Sequence, residues 1–301
     1  MKRKPSATKT ATETTPNFML ETLRLGFKNL SVNLWIPTIS YIVLSIVPLI
    51  LGIEMASKLK DVADNSLILN TLVDKFDFAI FTDFWRLNQA KLYPILRKAI
   101  WTLPLIWLLK VFITGGTVDA VNDKTFSMNR YFKQCIKYFW RMFRLDILQF
   151  FLILVTLVIG VLILWALLGD IDGKNEIQLF YRIAPVVCTF FLLYFLFAIC
   201  KDYTAQKIYF SGSHNVRSSF FSSFKYIFSN PKLIIFQVLL YIFGLVWLWM
   251  YLLLDTKING TGMGTSIVIV CSQQLYVLGK HFLRSWHLFI VQIVQDKRAI
   301  S

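Results

Sequence analysis

LDILQFFLILVTLVIGVLILWALL, residues 145–168, decides the fold. Asp146 stands at its entrance, and the 22 residues from Ile147 to Leu168 contain no ionisable side chain. A hydrocarbon core of about 30 Å is crossed by roughly 17–25 helical residues, so this run is long enough to span a bilayer. Lipid offers no hydrogen-bond partner to an open backbone, which leaves a helix or a closed barrel. Nothing here alternates at period two as a barrel strand would, so the run predicts a membrane helix.

Five more stretches satisfy the same reading: 34–53, 99–118, 183–199, 233–254 and 266–283. The expected fold class is all-α: a polytopic membrane helix bundle of about six transmembrane helices. Pro37, Pro48, Pro104 and Pro185 fall inside or at the ends of these stretches, where membrane helices tolerate them. Composition agrees, with 56% apolar and 16% charged residues and 27 Phe in 301 positions. One soluble core could not hide that much apolar surface, whereas a bilayer solvates it. The apolar run starting at Leu34 is too long for a cleavable signal core and reads as a retained signal-anchor helix. Residues 1–16, MKRKPSATKTATETTP, read as a disordered basic tail, and 17–301 as one six-helix transmembrane domain.

Charge orients the bundle. If the N-terminus is inside, the segments 1–33, 119–144, 201–232 and 280–301 hold 21 Lys and Arg against 7 acids, counting Asp146. The opposite segments, 54–98, 170–182 and 255–264, hold 10 of each sign. Cationic loops stay on the cytoplasmic side, so both termini are expected in the cytoplasm. The one long outer loop, 54–98, is expected to form short amphipathic helices on the membrane surface.

Each outward span is preceded by a basic, aromatic stretch: 18–30, 131–143 and 216–228. FKNLSVNLWI (27–36) and FKYIFSNPKLII (224–235) share a Phe-Lys-x-aliphatic core, and IKYFWRMFRLDI (136–147) follows it loosely. These read as cytoplasmic amphipathic helices lying in the headgroup layer with cations against anionic lipid. The layout predicts three units of interfacial helix plus transmembrane hairpin, alike through an internal repeat or through shared membrane physics alone.

Polar residues within the apolar stretches are the candidate site residues. Lys110 is the one charge well inside a span, where burial near the bilayer centre costs roughly 2.5–3.5 kcal/mol. It snorkels to the headgroups, pairs with a carboxylate, or lines a path. Gln273, Lys280, Arg284 and His287 stand at offsets of seven, four and three on the last span, along one helical stripe. With Asp146 and Asp202 expected at the same depth, they form a candidate polar cluster, or else an interfacial anchor. The sharper expectation is a cytoplasm-facing pocket for an anionic group such as a lipid phosphate. Gly115 and Gly116 read as a candidate structural turn or a close helix approach. In the outer loop, Asp77 and Asp83 read as caps or a solvated face more readily than as a cation site. Cys135, Cys188, Cys200 and Cys271 form no CxxC pair, and no metal or cofactor is expected. The motifs HExxH, GxSxG, GxGxxG and the P-loop are absent, so no catalytic constellation is expected. The cations are spread along membrane boundaries, which disfavours nucleic acid as a partner.

FDFAIFTDFWR (76–86), FITGG (112–116), DYTAQKIYF (202–210) and CSQQLYVLGKHFLRSW (271–286) resemble an uncharacterised family of bacterial six-helix inner-membrane proteins. That family is distantly similar to the membrane domain fused to some glycerophosphodiester phosphodiesterases. The resemblance implies the fold, the topology and a bacterial inner membrane, and it implies no activity. No appended phosphodiesterase domain is expected in 301 residues. The expected role is therefore non-enzymatic: engagement of anionic headgroups on the cytoplasmic side, of a membrane protein partner, or of a second copy of the chain. The alternative is a transporter or channel component with polar residues of the second and sixth spans lining a path.

Overall fold

The computed structural model describes residues 15–63, 78–123, 127–168, 176–257 and 263–300, and among these every regular element is an α-helix. In chain order they are α1 (Thr15–Val32), α2 (Trp35–Ala63), α3 (Phe78–Asn122), α4 (Met128–Leu168), α5 (Glu176–Ser211), α6 (Val216–Ser229), α7 (Pro231–Lys257) and α8 (Met263–Ile300). The chain is an all-α, polytopic helical bundle. Five of the described helices are long and apolar enough to cross a membrane, over Trp35–Glu54, Leu96–Asn122, Met128–Ala166, Phe180–Ser211 and Leu233–Leu254.

The sixth expected span, 266–283, is helical within α8 but does not reach that apolarity. Gln273, Gln274, Lys280 and His281 dilute it. The expected short helices of the outer loop are also corrected. α2 runs on past Glu54 to Ala63, and α3 starts at Phe78 and continues unbroken to Asn122. No Pro or Gly lies between Ile53 and Ala63, so nothing stops α2 where its apolar run ends. Residues 64–77, on which part of that expectation fell, lie outside the described residues, as do 1–14 of the tail; α1 begins at Thr15, just inside the expected tail.

Large apolar side chains are exposed along the spans, Trp165 and Trp249 by 76% and 62%, while the interior mixes apolar residues such as Phe220 and Phe289 with buried polar ones such as Thr204 and Gln206. Apolar side chains turned outward suit helices solvated by lipid.

The chain divides into two compact units, one of residues up to Pro37 with those from Leu152 on, the other Thr38–Phe151. In the first, α1 lies against α8. Gly26 faces Trp286 and Ile290 so closely that a Cβ would stand 2.9 Å from Ile290 Cγ1. The Trp286 indole donates to the Leu23 carbonyl at 3.3 Å and meets the Phe27 ring edge-on at 5.6 Å. α6 packs on α5, burying Ser219 and Ser223, with the Lys207 ammonium on the Ser222 hydroxyl. α7 packs on α8 with the Trp247 indole laid over Gly279 and its N–H donated to the Tyr276 carbonyl at 3.3 Å. In the second unit, the inner end of α3 lies on the start of α4. There the Thr117 and Tyr131 hydroxyls are 3.2 Å apart.

The repeat read from sequence acquires a shared geometry at two of its three places. α1 passes into α2 at Asn33, and α6 passes into α7 at Asn230. Asn33 N–H donates to the Leu30 carbonyl at 2.9 Å, and its own carbonyl accepts from Ile36 N–H at 3.1 Å. Asn230 N–H donates to the Ile227 carbonyl at 3.1 Å, and its carbonyl accepts from Leu233 N–H at 3.0 Å. Each asparagine amide also donates 2.9 Å to the carbonyl four residues back, Asn29 and Tyr226 respectively. In both, the side chain satisfies an end carbonyl of one helix while the backbone opens the next. The third unit departs, because α4 continues through 136–147 without a break.

Candidate functional site

α5 does not end where its apolar run does. Beyond Ile199 it carries Lys201, Asp202, Tyr203, Thr204, Gln206 and Lys207 for two further turns, and most of these are buried. They are enclosed by α6 on one side and by the last third of α8 on the other, where Ser285 and His287–Val291 are buried. So many polar groups away from solvent need partners. The His287 Nδ1 lies 3.0 Å from the Asp202 carboxylate, the Gln295 amide donates to the Tyr203 carbonyl at 3.2 Å, and the Gln206 amide reaches the Leu288 carbonyl at 3.5 Å. The positive charges of Arg284 and Lys201 bear on the same Asp202 carboxylate.

With Nδ1 donating to Asp202, the second ring nitrogen of a neutral His287 is left as an acceptor. That Nε2 is buried without a hydrogen-bond partner. Among the described residues no hydroxyl or thiol is hydrogen-bonded to it, and no group of three or more His, Cys, Asp and Glu is placed to hold a metal ion. Asp202 is the acid on which the charges of Arg284 and Lys201 bear.

The expected cluster is brought together only in part. Asp202 and His287 meet, and half-buried Arg284 stands beside them. Lys280 and Gln273 are exposed, further up α8, and the Lys280 ammonium lies 5.7 Å from the Tyr276 ring centre. The stripe thus turns from surface to interior along its length. Lys110 and Asp146 belong to the other compact unit. There Lys110 is on the exposed side of α3 with Leu103 and Leu108, and Asp146 is buried on α4.

Gly115 and Gly116 are not a turn, because α3 continues to Asn122. They are a close approach. A Cβ on Gly115 would stand 2.9 Å from Tyr138 Cβ, and one on Gly116 would stand 2.5 Å from Cys135 Sγ and 2.9 Å from the Tyr131 carbonyl oxygen. Of the loop carboxylates, Asp83 pairs with Arg86 at 3.5 Å and Asp77 lies outside the described residues.

Sequence reading missed three polar contacts. Arg130 at the start of α4 holds Asp119 at 3.1 Å and also Asp123, both at the end of α3. Lys98 pairs with Glu54, and Lys201 joins the surroundings of Asp202. The only signal for the first was the spacing of two carboxylates by four residues ahead of an arginine. Lys98 and Glu54 are 44 positions apart, beyond any local pattern. No family model, curated protein or solved structure matches this chain.

Proposed function

We propose that this chain is a non-catalytic multi-pass protein of a bacterial inner membrane, with both termini in the cytoplasm. Its role is to hold anionic lipid against the basic sides that α1 and α6 present in one compact unit and the first turns of α4 in the other. One observation carries this reading: on each of these helices the side turned away from the packed core exposes cations and large aromatics together. Arg24, Phe27 and Lys28 do so on α1. Phe132, Lys133, Lys137 and Trp140 do so on α4, and Arg217, Phe221 and Lys225 on α6. Exposed rings interleaved with cations are poorly served by water and well served by a headgroup layer, where rings enter the acyl boundary and cations meet phosphate. The excess of cations near the same ends of the spans supports the cytoplasmic assignment.

The test is lipid retention. Protein extracted in mild detergent and washed is expected to keep phosphatidylglycerol in excess over phosphatidylethanolamine. Changing Lys28, Lys133, Lys137, Arg217 and Lys225 to Gln is expected to remove that excess, at about 1 kcal/mol per cation. Unchanged retention in this variant, or elution with a co-purifying protein and no enriched anionic lipid, refutes the assignment. Cysteines placed at Arg86 and Asn215 in a cysteine-free background test orientation. An impermeant maleimide should reach the first and not the second in intact cells.

A further inference from the structure

At the opposite end of α2 from α1, a groove of about 870 Å³ opens between α2 and α3. Its size falls within the ~300–1,000 Å³ of ordinary small-molecule sites. The α2 wall is Val47, Ile50, Leu51 and Glu54, and the α3 wall includes Arg97, Lys98, Trp101 and Leu105. Both sets fall at helical spacing, so each is one stripe of its helix. The Lys98–Glu54 ion pair joins the end of the α2 span to the start of the α3 span, so two helices that both cross the membrane run in opposite directions here.

That antiparallel register sorts the lining by depth. The apolar span of α2 ends at Glu54 and that of α3 begins at Leu96, so Glu54, Arg97 and Lys98 sit together at the membrane boundary. Val47, Ile50, Leu51, Trp101 and Leu105 lie inward of it. The groove has a charged mouth at headgroup depth and an apolar floor within the hydrocarbon layer. Among the described residues that line the groove, Glu54 and Lys98 neutralise each other, and Arg97 is the further cation. Its planar fork of donors suits a phosphate.

We propose that this groove binds a phospholipid with an anionic headgroup, its phosphate on Arg97 and one acyl chain along Leu51, Trp101 and Leu105. The assignment does not depend on which leaflet is cytoplasmic. Charge complementarity selects the occupant: a zwitterionic lipid would bring its own cation to a mouth already carrying one in excess.

The probe is a phosphatidylglycerol with a diazirine on one acyl chain, diluted in phosphatidylcholine nanodiscs with the full-length protein, followed by peptide mapping after photolysis. Labelling is expected to concentrate on α2 and α3 around Leu51 and Trp101. Excess unlabelled phosphatidylglycerol should compete, and phosphatidylcholine and glycerol phosphate should not. R97Q is expected to lower this labelling about fivefold, and L51W to abolish it by filling the floor. K225Q, in the other compact unit, should leave it unchanged. Arg97 is exposed, so its variant tests the site even if L51W fails to fold. Equal labelling by a phosphatidylcholine analogue, competition by glycerol phosphate alone, or unchanged labelling in R97Q overturns the proposal.

Discussion

Replacing Gly116 by Ala adds one methyl group at a place where the structure has no room for it. The new Cβ would stand 2.5 Å from Cys135 Sγ, 2.9 Å from the Tyr131 carbonyl oxygen and 3.0 Å from Tyr131 Cε2. Sulfur and ring could shift by rotation, but the carbonyl oxygen is backbone and moves only if α4 moves. Overpacking of this kind costs about 1–3 kcal/mol. Against it stands the helix preference of Ala over Gly, about 0.8–1 kcal/mol. The clash wins because it involves backbone, leaving a net loss of up to about 2 kcal/mol and a fall in Tm of up to roughly 3 °C. Gly160→Ala is the control, since nothing lies within 4 Å of a Cβ there; it should be neutral or slightly stabilising. A fluorogenic maleimide reads the transition, because Cys135 and Cys200 are buried while Cys188 and Cys271 are exposed and can be replaced beforehand. Adding Cys135→Ala to Gly116→Ala should restore part of the loss and not all, since the Tyr131 carbonyl remains. If Gly116→Ala melts at or above Gly160→Ala, the close approach of α3 and α4 is not what holds this contact.

Asp202→Asn keeps the size of the side chain and removes the charge facing His287, Arg284 and Lys201. Breaking a fully buried pair costs about 3–5 kcal/mol; with the Asp202 side chain 20% exposed, about 2 kcal/mol is expected in the same melt, and no change would show that the cations there are satisfied without it. Asn33→Ala and Asn230→Ala each remove one side-chain hydrogen bond to a helix-end carbonyl and should each cost about 0.5–1.5 kcal/mol. The part-buried Asn33 should lie toward the upper end, and stability unaffected by either change would mean the matching geometry bears no load.

Helix existence was legible because a span is a local property. The run 145–168 needs no knowledge of its neighbours to be read as helix, and five of six such readings match the helices apolar enough to cross a membrane. Helix ends were less legible. Sequence hydropathy marks where lipid stops, whereas a helix stops only where hydrogen bonding or a breaker requires it, so α2, α3 and α5 overrun the ends read for their apolar runs. Of the candidate cluster, residue types were readable and pairing was not. Asp202 and His287 are 85 positions apart by their numbers, and the same offset logic that placed His287 also placed Gln273, which turned out to face outward. A stripe longer than two turns crosses from one environment to another, and its periodicity does not say where.

The repeat is where local and long-range information meet. In each of its three units the basic helix docks near the C-terminal part of another helix: α4 on α3, α6 on α5, and α1 on α8, from the other end of the chain. Each contact includes small side chains, Gly115 and Gly116 in the first, Ser219 and Ser223 in the second, Gly26 in the third, beside larger buried ones such as Tyr131, Phe220 and Leu30. Small residues let two backbones approach, and in lipid such packing replaces the hydrophobic drive that would hold helices together in water. Docking one side of each helix by small residues frees the opposite side to carry rings and cations, which a helix held by large apolar contacts all round could not do. The glycines and serines therefore belong to the same design as Lys28, Lys137 and Lys225: the first set fixes the helix against the bundle, and the second is what that fixation presents.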